Sequence, residues 1–193
     1  VYLVFLQHII FSLKPEGKAA VVVPTGFITA QSSIPKKIRQ KLVDERMLRG
    51  VVSMPSNIFA TTGTNVSILF IDKANKEDVV LIDASALGEK IKEGKNQKTL
   101  LSANDEAQII DTFNKKETID DFSTVVSYAD IQAKNYSLSA GQYFEIKIEY
   151  VELTKNEFDK KISEFTENLA KLFEESKKKD DAILTSLKKI RYE

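Results

Sequence analysis

Apolar residues recur along the first thirteen positions with the spacing of one helical stripe, Leu3, Leu6, Ile10 and Leu13, widened by Val4, Phe5 and Ile9. That periodicity predicts a helix laid against a sheet. Lys14-Pro15-Glu16-Gly17 ends it, because proline cannot continue a helix and glycine supplies the reversal. The period then changes. Residues 19–23 are a short unbroken apolar run with β-branched side chains, followed by Pro24-Thr25-Gly26, which predicts a strand ending in a turn. A second helical stripe comes next, with Ser32 or Ser33 as its cap, Pro35 in the first turn, and Ile38 and Leu42 inward, running to about Glu45. Val51 and Val52 begin another strand. Val66, Ile68, Leu69, Phe70 and Ile71 fill the one after it almost without a polar break, which suits burial on both faces. A short strand over 79–82 ends at Asp83-Ala84-Ser85.

Between Val52 and Val66 lies only a turn-rich loop, M-P-S-N-I-F-A-T-T-G-T-N. No crossover helix fits there, so the flanking strands are expected to be antiparallel neighbours. Apolar strands alternating with amphipathic helices over residues 1–83 predict half of a doubly wound α/β domain. A loop at the end of a buried strand is where open α/β sheets hold their ligands. The loop carries one aromatic residue, Phe59, which reads either as a ligand-facing ring or as a plug beneath the hairpin. Thr62, Gly63, Thr64 and Asn65 read either as the rim of a pocket or as a simple hairpin bend.

Residues 87–104 are rich in Lys, Gly and Asn and predict an irregular stretch. Ser102-x-x-Asp105 and Ser127-x-x-Asp130 cap two helices, the first carrying Ile109, Ile110 and Phe113, the second ending at Lys134-Asn135. An extended segment is expected over 145–151. In the tail, Thr154 and Glu157 form a capping box, with Leu153 and Phe158 at the staple positions. Phe158, Ile162, Phe165, Leu169 and Leu172 follow at spacings of four and three. After a charged break over 176–181 the seam resumes at Ile183, Leu187 and Ile190. A helix with so narrow a stripe needs something to bury it, a partner chain or its own domain. The expected organisation is 1–85 for the first α/β part, 86–153 for a connecting α/β region, and 154–193 for a helical tail.

Composition narrows the chemistry. Lys and Arg (28) balance Asp and Glu (28), so no global field announces nucleic acid. The basic outer face of the second helix, Lys36, Lys37, Arg39 and Lys41, reads as a solvated face or as phosphate contacts. There is no cysteine, which excludes disulfides, thiolate metal sites and thiol nucleophiles and is compatible with a reducing, cytoplasmic setting. The single histidine, His8, reads as a packed or edge side chain, and no metal site is expected. No apolar run reaches membrane-spanning length. The chain opens without methionine inside an apolar helical pattern, which reads as a fragment.

The stretches L-K-P-E-G-K-A-A-V-V-V-P-T-G-F-I, I-R-Q-K-L-V-D-E-R-M-L-R-G-V-V-S-M-P-S-N-I-F, T-G-T-N-V-S-I-L-F-I-D-K and N-Y-S-L-S-A-G-Q-Y-F, taken as a set, resemble the C-terminal half of the modification (methyltransferase) subunit of type I restriction-modification systems. The resemblance covers most of residues 1–150. It implies an S-adenosylmethionine-dependent DNA adenine N-6 methyltransferase with a Rossmann-like fold whose last two strands form a hairpin. It implies that the glycine-rich cofactor loop, the acidic residue on the cofactor ribose and the Asn-Pro-Pro-aromatic motif belong upstream of Val1, so that this segment holds no catalytic residue and is inactive alone. In such enzymes an adenine swung out of the duplex is gripped on its faces, and Phe59 stands where one face of that clamp is expected. Pro24, Thr25 and Gly26 are expected nearer the cofactor. The tail is expected on the helical spacers of a DNA-specificity subunit, in an assembly that also takes a restriction subunit. A non-catalytic interaction module and a solitary methyltransferase with an unrelated tail are the competing readings.

Overall fold

A computed structural model describes residues 2–59, 63–94, 96–145 and 154–189. The chain divides into two compact units, Val1–Ile146 and Lys147–Glu193.

The first unit is built on a mixed sheet of five strands in the order β1 (Lys18–Pro24), β3 (Val66–Asp72), β2 (Leu48–Ser53), β4 (Val79–Asp83), β7 (Ser123–Val126). Strand β3 is antiparallel to both β1 and β2, so the two strands flanking the Phe59 loop are antiparallel neighbours as their short connection requires. Strands β2 and β4 are parallel, and β7 closes one side antiparallel to β4. On the other side β1 pairs, among the described residues, with β3 alone.

In β3, Leu69 and Ile71 enter one core while Phe70 on the other face is half-buried against the second. Alternate residues of β2 and β4 enter two different cores: Val51, Val79 and Leu81 on one face, Val52, Val80 and Ile82 on the other. The larger core is completed by α1 (Tyr2–Ser12), α2 (Gly26–Thr29), α3 (Ser33–Asp44) and α5 (Tyr128–Ala133) through Leu6, Phe27, Leu42 and Ile131. In α1, Leu6 and Ile10 are buried, Leu3 and Leu13 are half-buried, and His8 lies at the exposed edge. The smaller core is covered by α4 (Ala103–Lys115), whose Phe113 packs on Phe70 with ring centroids 4.6 Å apart. Gly50 permits that approach, since a Cβ there would lie 2.5 Å from Phe113 Cε2 and 2.6 Å from Val80 O.

Local capping signals are realised as read. Ser102 and Ser127 both accept from the N3 amide, and Asp105 and Asp130 reach back to close the box. Ser32 occupies the cap of α3 without a side-chain bond.

Two readings are corrected. Residues 87–104 are not irregular: β5 (Glu89–Glu93) and β6 (Asn96–Leu100) form a two-stranded antiparallel ribbon. The reversal rests on Gly94 at φ +63°, a hairpin turn whose left-handed residue suits glycine. Arg39 is not on the solvated face. It is fully buried, and its guanidinium donates to Phe27 O (2.5 Å), Ala30 O (2.6 Å) and Tyr136 O (2.7 Å). Phe27 and Ala30 belong to the end of the four-residue α2, whose carbonyls lack helical partners, so a cation there satisfies them. Burial lowers the Arg39 pKa from its very high ordinary value, and a guanidinium remains charged regardless.

The second unit holds α6 (Lys155–Lys189), one continuous helix of 35 residues and about 50 Å. The charged stretch 176–181 therefore breaks the apolar seam but not the helix. Phe158, Ile162, Phe165, Leu169, Leu172, Ile183 and Leu187 are all exposed, together with Phe173 and Leu184. Leu153, Ile190 and residues 146–151 of the expected extended segment lie outside the described residues.

The start of α6 carries a pH-sensitive cap. Thr154 donates its N–H (2.9 Å) and its hydroxyl (2.6 Å) to Glu157 Oε2, and Glu157 N–H donates back at 3.4 Å. These bonds hold the Glu157 carboxyl below the ordinary glutamate range. A depressed acid stabilises the fold fully above its unfolded pKa of about 4.3 and loses that contribution as pH falls through the folded value. The first turn of α6 is therefore expected to fray below about pH 4, and Thr154→Ala to abolish the pH dependence. Amide exchange at residues 155–158 across pH 3 to 6 checks this; a wild-type first turn indifferent to pH would refute it.

Candidate functional site

The directions of the strands collect three carboxyl ends on one edge of the sheet. Because β1 and β2 are both antiparallel to β3, and β4 is parallel to β2, the strands ending at Pro24, Ser53 and Asp83 point the same way. Strand β3 begins at that edge, with Val66 paired to Pro24 and Ser67 to both Val23 and Ser53. Residues 54–59 leave that edge and residues 63–65 return to it.

The foot of the loop is fixed on both sides. Met54 N–H donates to Val66 O and Thr25 N–H donates to Asn65 O, both at 2.9 Å. Beneath them runs a row of hydroxyls: Thr25 Oγ1 lies 3.1 Å from Ser67 Oγ, which lies 3.4 Å from Ser53 Oγ. Ser67 is fully buried, while Thr25 and Ser53 at the two ends are half-buried. Each hydroxyl can donate once and accept twice, so the row can be satisfied in either direction. Sequence reading did not single out Ser53 or Ser67. The signal was a serine at the foot of each strand of a hairpin, on positions that the register sets opposite one another.

Phe59 lies in this loop at 48% exposure and is in neither cluster of buried residues. Asn57, two residues before it, takes φ +55°, and its side-chain oxygen lies 3.6 Å from where a Cβ on Gly63 would be. Gly63, Thr64 and Asn65 are exposed in the descending limb, and Thr62 lies outside the described residues. Pro24, Thr25 and Gly26 lie at the same edge, linked to Asn65 by the Thr25 bond, and a Cβ on Gly26 would meet only open space.

The basic candidates are not brought to this edge as a set. Lys37 and Lys41 line a groove with Gln7, Phe11 and Lys73. Lys73 follows the far end of β3, so that groove belongs to the opposite end of the sheet. Lys41 also pairs with Glu45 at 2.5 Å on the surface of α3, Lys36 is half-buried, and Arg39 is the buried clasp already described. Sequence reading also missed Thr99 on β6, which donates from N–H to Asn57 O at 3.0 Å and from Oγ1 to Ser56 O at 2.6 Å.

The N-Y-S-L-S-A-G-Q-Y-F stretch forms a compact hook behind α2. Leu138 N–H donates to Ile28 O at 3.0 Å and the Tyr143 hydroxyl donates to Ser137 O at 2.6 Å. Burial pushes the Tyr143 hydroxyl up to about 12.

Among the described residues, no cluster of His, Asp and Glu could hold a metal ion, and no helix is long and apolar enough to cross a membrane. No two of the seven glycines fall two apart, so the Gly-x-Gly loop that nucleotide cofactor sites use is absent from the sequence. The Asp83 carboxylate accepts from Ser85 N–H at 3.0 Å.

The chain resembles known proteins over most of its length. The family model described as N-6 DNA Methylase matches residues 2–168. The methylase subunit of the type I restriction enzyme MpnII from Mycoplasma pneumoniae is 34% identical over 153 residues, covering 78% of this chain and 27% of that protein. The MjaIX methylase subunit from Methanocaldococcus jannaschii is 28% identical over 186 residues, covering 90% of this chain and 32% of that protein. A crystal structure of the type I restriction-modification methyltransferase subunit from Streptococcus thermophilus superposes with a TM-score of 0.67 at 27% identity, over 74% of this chain and 30% of that one. The chain thus spans about a third of the length of these relatives, and its mixed sheet and C-terminal helix follow their fold. With the match running from α1 into α6, the chain belongs to the N-6 DNA methylase family.

Proposed function

We propose that this segment supplies the target-base side of the active site, and the contact with the specificity subunit, in a type I modification enzyme that methylates adenine N-6 in DNA. The observation that carries the reading is Phe59, an exposed ring on a loop rooted at the carboxyl ends of three co-directional strands, where α/β sheets place ligands. An adenine must leave the duplex to be methylated, and an exposed ring is what its π-face needs on arrival. Gly63, Thr64 and Asn65 shape the rim around the ring, and Pro24, Thr25 and Gly26 form the wall nearer S-adenosylmethionine.

S-adenosylmethionine supplies the methyl group in this reading. The present residues do not hold it alone, which agrees with a chain a third as long as its relatives. The glycine loop, ribose-binding acid and Asn-Pro-Pro-aromatic motif belong to the remainder of a longer polypeptide, completing a Rossmann-like sheet on the side of β1 away from β3. DNA sequence is read by the specificity subunit, consistent with the balanced charge of this chain, and a restriction subunit joins the full assembly in the cytoplasm.

Incubation of the full-length subunit and its specificity partner with S-adenosylmethionine and duplex DNA is expected to yield N-6-methyladenine by mass spectrometry. Its absence would overturn the reading. A second reading, a non-catalytic module that binds a specificity subunit, is favoured by the exposed stripe of α6 alone. It predicts capture of the partner without methylation.

A further inference from the structure

The two backbone carbonyls just before Phe59 in the loop are held by one residue of a distant strand. Thr99 on β6 bonds Asn57 O through its N–H and Ser56 O through its hydroxyl, and is 2% exposed. The bonds at Met54 and Thr25 fix the foot of the loop, whereas Thr99 grips it two and three residues from the ring. Asn57, one of the two residues gripped, takes φ +55°, a left-handed conformation that asparagine adopts more readily than most side chains.

The ribbon is in turn fitted to this place. Gly88 enters it at φ +83°, and a Cβ there would lie 2.8 Å from both Leu100 O and Thr99 Cγ2. Any side chain at 88 would push away the strand that carries Thr99.

We propose that Thr99 is a positioning residue for the target base, acting through Phe59: the β5–β6 ribbon braces the stacking loop so that the ring stands ready where the adenine arrives. The proposal rests on the reading of Phe59 given above. A ring on an unbraced loop must be ordered anew at each encounter, and small misplacements of a stacking group are costly in rate.

The test uses the full-length subunit with its specificity partner, in single-turnover methylation and in fluorescence titration with duplex carrying 2-aminopurine at the target adenine. Thr99→Val keeps the shape and the N–H bond but loses the hydroxyl. It is expected to slow methyl transfer about tenfold, the loss of one hydrogen bond, with the KM for S-adenosylmethionine unchanged and the 2-aminopurine signal of the bound complex altered. Thr99→Ser should restore both. Gly88→Ala, which displaces β6, should reproduce the Thr99→Val defect and decides the matter if Thr99→Val melts below the assay temperature. In a Phe59→Ala background, Thr99→Val should have no further effect. A wild-type rate for Thr99→Val, or losses that simply add to those of Phe59→Ala, would overturn the brace. A Phe59→Ala enzyme that methylates normally would instead remove the reading of Phe59 itself.

Discussion

Phe59→Ala in the full-length subunit is expected to slow methylation by about tenfold to a hundredfold, the equivalent of roughly 1 to 3 kcal/mol of base stacking. The melting temperature and the affinity for S-adenosylmethionine should stay near wild type. The physical basis is that Phe59 is half exposed and outside both cores. Removing a buried phenylalanine costs about 3 to 5 kcal/mol and would lower the melting temperature by many degrees, whereas this ring has little packing to lose. Phe59→Tyr should retain most of the rate, since a tyrosine offers the same face. Single-turnover methylation alongside a thermal melt checks both halves. A variant that loses stability or cofactor affinity in place of rate would identify the ring as a structural prop.

Phe165→Asp combined with Leu169→Asp on α6 is expected to cut capture of the specificity subunit by a hundredfold or more. Burying a large apolar side chain is worth about 1.5 to 3 kcal/mol, so two central positions carry roughly 3 to 6 kcal/mol. The introduced charges add desolvation on top. Both residues are more than half exposed, at 66% and 53%, so the stability of the first unit should not change. Deletion of residues 154–193 should abolish capture in the same pull-down. Equal retention of the partner by all forms would exclude the seam as the contact.

The parts of this molecule that were legible in the sequence are those governed by neighbours along the chain. The serines at 102 and 127 cap because the carboxylate three residues on can reach back. The antiparallel pairing of β2 and β3 follows from a connection too short for anything else. Two kinds of feature escaped. The β5–β6 ribbon was hidden by composition, since lysine, glycine and asparagine signal a loop unless the turn at Gly94 is recognised. Strand β7 is only four residues, S-T-V-V, and shows no helix or strand period of its own; it exists because β4 offers an edge.

Arg39 marks the same boundary more sharply. Helical periodicity places it beside Ile38 and one turn before Val43, both buried, yet its charge argued for solvent. Its burial is decided by carbonyls nine, twelve and 97 residues away, which satisfy the guanidinium only once α2 and the 135–138 turn are in place. The candidate site divides likewise. Phe59 was visible as the one aromatic of its loop, while Ser53, Ser67 and Thr99 were not, because hydroxyls are common and nothing local distinguishes these.

The sequence by itself determined α1, α3, α4, α5, strands β1 to β4, the β2–β3 hairpin, the family and the amphipathic tail, because periodicity, caps and short connections act over a few residues. Tertiary structure alone decided that the carboxyl ends of β1, β2 and β4 share one edge, that a lysine-rich ribbon grips the loop beneath an exposed ring, and that one cation of α3 is buried while its neighbours are not. Those outcomes depend on hydrogen-bonding groups brought together from far along the chain, whose energies do not exist until the sheet has formed.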